Sequence, residues 1–81
     1  MENLQRFIEY VEEKIGHVAR DIQYGDAIVI YCQPVAFAIP LDYKALQRIA
    51  LRYGFEVLSV VFLPFSRWPM RIYLRGVGNG H

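Results

Sequence analysis

FEVLSVVFLPFSRWPMRIYLR, residues 55–75, contains two strand-like segments joined by a short turn. In the first segment, 55–63, both alternating sets of side chains are apolar, which is typical of a strand buried on both faces. Pro64 favours a turn, and Pro69 has no N–H to donate to a sheet ladder. We therefore predict a central strand over 55–63 and an edge strand that begins near Met70.

The second strand has two unlike faces. Its core set is Met70, Ile72 and Leu74, and its outer set is Arg71, Tyr73 and Arg75, with Arg67 at the same parity. Sheet faces that carry arginine and tyrosine neutralise phosphates and stack single-stranded bases in several nucleic-acid-binding modules. A charged edge strand that blocks aggregation carries the same residue types. We favour the guarded edge, and nucleic acid is the alternative partner of the four outer residues.

Composition describes one small domain. The chain has 81 residues, a formal charge of +1 and 54% hydrophobic residues. The near-neutral charge gives no overall argument for nucleic acid or an anionic membrane as partner. A single cysteine excludes an intrachain disulfide and agrees with a reducing compartment. No run approaches the roughly 18 apolar residues of a membrane span, and the first residues do not resemble a signal peptide. We predict a cytoplasmic protein with no membrane partner.

The chain before residue 55 predicts a helix, a strand and a second helix. Apolar residues recur at intervals of three and four, which predicts an amphipathic helix over about 3–22. The stripe consists of Leu4, Phe7, Ile8, Val11, Ile15, Val18, Ala19 and Ile22. AIVIYC, residues 27–32, is short and rich in β-branched residues, as strands are. For residues 33–41 we slightly favour an extended segment over a helix that starts after Pro34.

The second helix is predicted over 43–53, because Asp42 is a good N-cap and Gly54 is placed to end the helix. The resulting order is helix, strand, extended segment, helix, strand, strand. It predicts an α/β (α+β) two-layer sandwich, in which two helices pack on one face of a small mixed sheet. We expect a single domain over 1–75 and a disordered, glycine-rich tail over 76–81. No internal repeat is apparent.

The helices of such a sandwich cover only one face of the sheet. Apolar side chains of 55–63 would then remain on the other face and need a cover. A second copy of the chain is the simplest candidate, since most soluble oligomers are symmetric. We therefore predict a homodimer.

The order of elements resembles the TusA/SirA-like sulfur-carrier family over roughly residues 4–75. The stretches that carry the resemblance are YGDAIVIYCQP, EVLSVVF and WPMRIYLRG. The resemblance implies an α/β fold and sulfur transfer by a cysteine in a Cys-Pro-x-Pro motif. That motif and the strand before the first helix are absent here, and Cys32 lies instead at the end of a strand. The same order of elements also resembles Alba-type chromatin proteins and the C-terminal domain of translation initiation factor three, which implies nucleic-acid binding. In Alba the turn that aligns with YCQPVA is basic, whereas YCQPVA in this chain holds no basic residue.

No set of residues predicts catalysis or a cofactor. Cys32 is the candidate thiol site, but a lone cysteine that ends an apolar strand is more often an inert hydrophobic residue than an exposed thiolate. The two histidines and the cysteine lack the spacing of metal ligands. Ser59 and Ser66 have no identifiable base beside them. We predict a non-enzymatic binding or interaction module without metal or cofactor.

Overall fold

A computed structural model describes residues 2–34 and 42–77 as two helices packed on one face of an antiparallel sheet. The elements are α1 (Glu2–Lys14), β1 (Gly16–Tyr24), β2 (Ala27–Pro34), α2 (Tyr43–Arg52), β3 (Phe55–Phe62) and β4 (Met70–Gly76). The strands lie in the order β1-β2-β4-β3, and each neighbouring pair is antiparallel. The predicted two-layer sandwich is confirmed, but its described sheet is antiparallel rather than mixed.

One apolar core lies between the helices and the sheet. Its largest fully buried side chains are Phe7, Val11, Ile30, Cys32, Leu46, Met70, Ile72 and Leu74. They come from both helices and from the two central strands, so both helices cover the same sheet face. Burial of one large apolar side chain contributes about 1.5 to 3 kcal/mol, and this layer is therefore the main source of stability.

Helix α2 begins and ends where local chemistry predicts. Asp42 Oδ1 accepts a hydrogen bond from the backbone N–H of Ala45 at 3.0 Å, as expected of an N-cap. Gly54 follows the helix with a φ of +88°, which a residue with a Cβ atom adopts only at a cost. The predicted second helix is confirmed.

The predicted helix over 3–22 is wrong in its second part, because β1 begins at Gly16. Gly16 approaches β2 so closely that a Cβ atom there would lie 2.0 Å from the Gln33 carbonyl oxygen. Val18 and Ile22 fit a helical stripe because they are four residues apart. A β-bulge between them places these two side chains on opposite faces of the sheet. The four-residue spacing of these two apolar side chains therefore does not indicate a helix, because they belong to a bulged strand and lie on different faces of the sheet.

The predicted positions of the last two strands are also wrong. β4 lies between β2 and β3, and β3 is at the edge of the described sheet. Pro69 does not prevent a central position, because it precedes the first paired residue, Met70. A β-bulge between Val57 and Ser59 exchanges the two faces of β3. The double apolar alternation over 55–63 therefore reflects a bulge and not burial on both faces.

A side chain of α2 closes part of the β3 edge. Gln47 Oε1 accepts a hydrogen bond from the backbone N–H of Val57 at 2.8 Å, and Gln47 Nε2 donates to the Val57 carbonyl at 3.1 Å. Both bonds satisfy backbone groups that an edge strand otherwise offers to another chain.

Residues 2–34 and 42–77 contain one αββ unit twice, although no repeat is apparent in the sequence. α1, β1 and β2 form the first unit, and α2, β3 and β4 form the second. The first strand of each unit has its bulge at the same place, at Ala19 in β1 and at Leu58 in β3. Ile30 and Ile72 hold equivalent places in β2 and β4 and are paired with each other. An approximate two-fold axis therefore passes through this pair, perpendicular to the sheet.

Two predictions lie partly outside the described residues. Residues 33 and 34 belong to β2, but the alternatives for 35–41 stay open because that part of the segment is not described. Gly76 belongs to β4 rather than to a tail, and residues 78–81 are not described. Neither of the two described helices has the length and apolar character needed to cross a membrane.

Candidate nucleic-acid interface

The sheet face opposite the helices, here called the open face, contains three rows of residues paired across β2, β4 and β3. The rows are Tyr31, Arg71 and Val61; Val29, Tyr73 and Ser59; and Ala27, Arg75 and Glu56. These residues alternate with the core residues of the same strands, so their side chains point away from the helices. The structure thus brings the predicted residues Arg71, Tyr73 and Arg75 together at the middle of the three rows.

Arg71 is held against an aromatic ring in the first row. Its guanidinium carbon lies 4.9 Å from the centroid of the Tyr31 ring, a cation–π contact worth about 0.5 to 2 kcal/mol. Arg71 Nε is buried and has no hydrogen-bond acceptor among the described residues. A buried donor without an acceptor costs about 1 to 3 kcal/mol. The first row therefore holds an arginine that is oriented by a tyrosine ring and has one unsatisfied buried donor.

Arg75 is paired with a carboxylate in the third row. Arg75 Nη2 lies 2.6 Å from Glu56 Oε1, and both side chains are exposed. Exposed ion pairs contribute about 0.2 to 1 kcal/mol and can be exchanged for other partners. Glu56 therefore neutralises one of the two arginines that β4 places on the open face, and the other, Arg71, has no carboxylate partner among the described residues.

The loop between β3 and β4 adds an aromatic residue, Trp68, at one end of the open face. The Trp68 ring lies 6.1 Å from the ring of His17, which is exposed on β1 at the parity of the open face. The Trp68 backbone N–H donates to Ser66 Oγ at 3.2 Å, which helps to fix the loop. Arg67 is exposed in this loop and is not part of the three rows.

Sequence reasoning missed three contributors to this surface: Tyr31, Glu56 and Trp68. Tyr31 could have been recognised in QYGDAIVIYCQP, where Tyr31 and Gln33 alternate with the buried residues Ile30 and Cys32. The partnership of Glu56 with Arg75 and the contact of Trp68 with His17 depend on pairing between distant parts of the chain. No local spacing encodes those contacts.

Cys32 lies on the other face of β2, inside the core between the helices and the sheet. It is paired with Val18 on one side and Met70 on the other and has no exposed surface. Burial raises the pKa of its thiol to about 11, so very little thiolate forms near neutral pH. These properties favour the inert interpretation of Cys32 over a persulfide carrier.

Other polar groups do not extend the open face into a larger site. Lys44 and Arg48 are exposed on α2 and therefore lie in the helical layer, on the opposite side of the sheet. Within residues 2–34 and 42–77, no three histidine, cysteine, aspartate or glutamate side chains are close enough to hold a metal ion.

The sulfur-carrier, Alba-type and initiation-factor resemblances remain predictions. The repeated order αββαββ includes β1, a strand that none of the sequence patterns indicated. No protein-family model, curated protein or solved structure matches the chain, and the argument for its function therefore comes from the open face itself.

Proposed function

We propose that this protein is a non-enzymatic module that binds single-stranded nucleic acid on the open face of its sheet. The observation that carries the proposal is the central position of β4, which places two arginines and a tyrosine side by side on a face that neither helix covers. From the sequence, a guarded edge was the favoured interpretation of these residues. That interpretation loses its basis, because β4 has a strand on each side and Gln47 closes part of the edge at β3.

The chemistry of the open face favours unpaired bases. Tyr73 offers a ring on which any base can stack, a contact worth about 1 to 3 kcal/mol. Arg71 is a half-buried cation without a carboxylate partner among the described residues, and phosphate oxygens are strong acceptors for a guanidinium. In a duplex the bases are paired and stacked on one another, so rings on a sheet surface cannot reach their faces. We expect single-stranded RNA or DNA as the ligand, with little dependence on base sequence.

Fluorescence anisotropy tests the proposal with a labelled single strand of about 12 nucleotides and its duplex. Titrations at about 50 mM and about 200 mM salt cover a range in which phosphate contacts weaken strongly. We expect Tyr73→Ala to weaken single-strand binding about 5- to 150-fold at both salt concentrations. We expect Arg71→Ala to lower the log–log salt slope by about 0.7.

Matched controls remove the same residue types from the helical layer. Tyr43→Ala and Arg48→Ala both change exposed residues of α2, and we expect binding to stay at the wild-type level. If the wild-type protein binds no oligonucleotide at about 50 mM salt, where phosphate contacts are strong, the proposal is wrong.

A symmetric homodimer that buries the open face is a second candidate. Val61 and Ile22, which are half-buried, give this face an apolar component that a second copy would cover. Light scattering at micromolar concentration separates the two candidates. A dimer mass that Val61→Asp converts to a monomer mass supports self-association, whereas a monomeric wild-type protein excludes it.

A further inference from the structure

We infer that the open face takes one two-nucleotide step of a single strand and that Arg71 holds the phosphate between the two bases. The inference rests on the proposed function and specifies the ligand of that site.

The repeated αββ unit places two tyrosines in equivalent positions on the open face. Tyr31 of β2 and Tyr73 of β4 lie on either side of the paired residues Ile30 and Ile72. Tyr31 is paired with Arg71, and Tyr73 is two residues farther along β4, so the two tyrosines are diagonal neighbours. Diagonal neighbours on adjacent antiparallel strands lie about 7 to 8 Å apart. Bases stacked in a DNA duplex are only about 3.4 Å apart, so these two places require an extended, unstacked strand.

The contacts of Arg71 make stacking at Tyr31 different from stacking at Tyr73. Its guanidinium lies over the Tyr31 ring, so a base at this end stacks on the guanidinium plane rather than directly on the tyrosine. The other base stacks on Tyr73. Arg71 is half-buried and has no carboxylate partner among the described residues. The linking phosphate lies at the edge of this same guanidinium, where N–H groups donate charge-assisted hydrogen bonds.

The two ends of the site are not equivalent. The residue of the first unit that corresponds to Arg71 is Val29, which is buried and cannot bind a phosphate. Of the four residues Tyr31, Arg71, Val29 and Tyr73, only Arg71 therefore supplies a charge for the phosphate.

The test compares dinucleotide competitors that differ only in the charge of the linkage. One competitor has a natural phosphodiester, and the other has a neutral methylphosphonate. Each displaces a labelled single strand from the wild-type protein, from Arg71→Ala and from the control Arg48→Ala. In the wild type and the control, we expect the neutral linkage to lower competitor affinity at least about tenfold, the effect of losing a charge-assisted hydrogen bond. In Arg71→Ala we expect a change of less than about twofold, because the partner of the phosphate is gone.

Other outcomes are equally decisive. An equal loss in wild type and Arg71→Ala assigns the phosphate to a different residue and overturns the inference, while nucleic-acid binding stands. If no single strand of any length binds, the proposed function itself fails. Arg71→Gln provides a second variant that keeps most of the side-chain volume. If Arg71→Ala does not fold, we expect Arg71→Gln to show the same insensitivity to the linkage charge.

Discussion

Glu56→Gln should tighten nucleic-acid binding while it lowers the stability of the fold. The Glu56 carboxylate lies 2.6 Å from Arg75 and neutralises its charge on the open face. Without that carboxylate, Arg75 is free to contact a phosphate of a longer strand, and the face loses a negative charge that repels the ligand. The substitution should therefore raise the affinity for nucleic acid and lower the free energy of unfolding.

The geometry of the pair sets the size of both effects. The Arg75 and Glu56 side chains are 55% and 41% exposed, so their ion pair contributes about 0.2 to 1 kcal/mol. In a domain of this size, 1 kcal/mol corresponds to about 4 to 8 °C, so the melting temperature should fall by a few degrees. One additional phosphate contact steepens the log–log salt dependence for a single strand by about 0.7. The gain in affinity at about 50 mM salt should then exceed the gain at about 200 mM salt by about 2.6-fold.

The assay combines anisotropy titrations at both salt concentrations with thermal unfolding. Glu9→Gln is the matched control, because it makes the same charge change at an exposed position of α1, in the helical layer. Equal gains from the two substitutions would assign the effect to net charge alone. Weaker binding by Glu56→Gln would refute the placement of the ligand on the open face.

Two further predictions concern the core and the close approach of β1 to β2. Gly16→Ala places a Cβ atom 2.0 Å from the Gln33 carbonyl oxygen and should destabilise the fold by about 1 to 3 kcal/mol in chemical denaturation. Gly76→Ala is the control, because a Cβ atom there meets no atom within 4 Å, and it should leave the stability unchanged. Burial raises the pKa of the Cys32 thiol from 9.0 to about 11, so the neutral thiol stabilises the fold below pH 9 and this contribution declines as the pH rises towards 11. The difference in unfolding free energy between the wild type and Cys32→Ala should shrink over that range, and a constant difference would contradict the burial of the thiol.

Features of the fold that depend on neighbouring residues could be predicted from the sequence. Asp42 and Gly54 mark the ends of α2 by their own conformational preferences, and Pro69 marks the start of β4 because it cannot donate to the ladder. The alternation in β4 likewise placed Arg71 and Tyr73 on one face. In each case, the physical cause lies within a few residues of the feature.

Features that depend on distant residues could not be predicted. Gly16 lies inside the helix predicted over 3–22, and only the pairing of β1 with β2 shows that a side chain at this position would clash with the Gln33 carbonyl. The bulge at Leu58 makes both faces of β3 look buried, which led to the wrong order of the strands. The same limit applies to the site, because Tyr31 meets Arg71 only through the pairing of β2 with β4.

The two αββ units have equivalent core residues but different residues on the open face. Core positions that correspond in the two units are buried in both, as for Ile30 and Ile72 or Cys32 and Leu74, because both halves pack against the same layer of helices. The open face has no such requirement, since neither helix covers it. There, one unit has Val29 where the other has Arg71, so only the second unit supplies a positive charge at that place. The charge on the open face is therefore asymmetric although the fold itself is repeated.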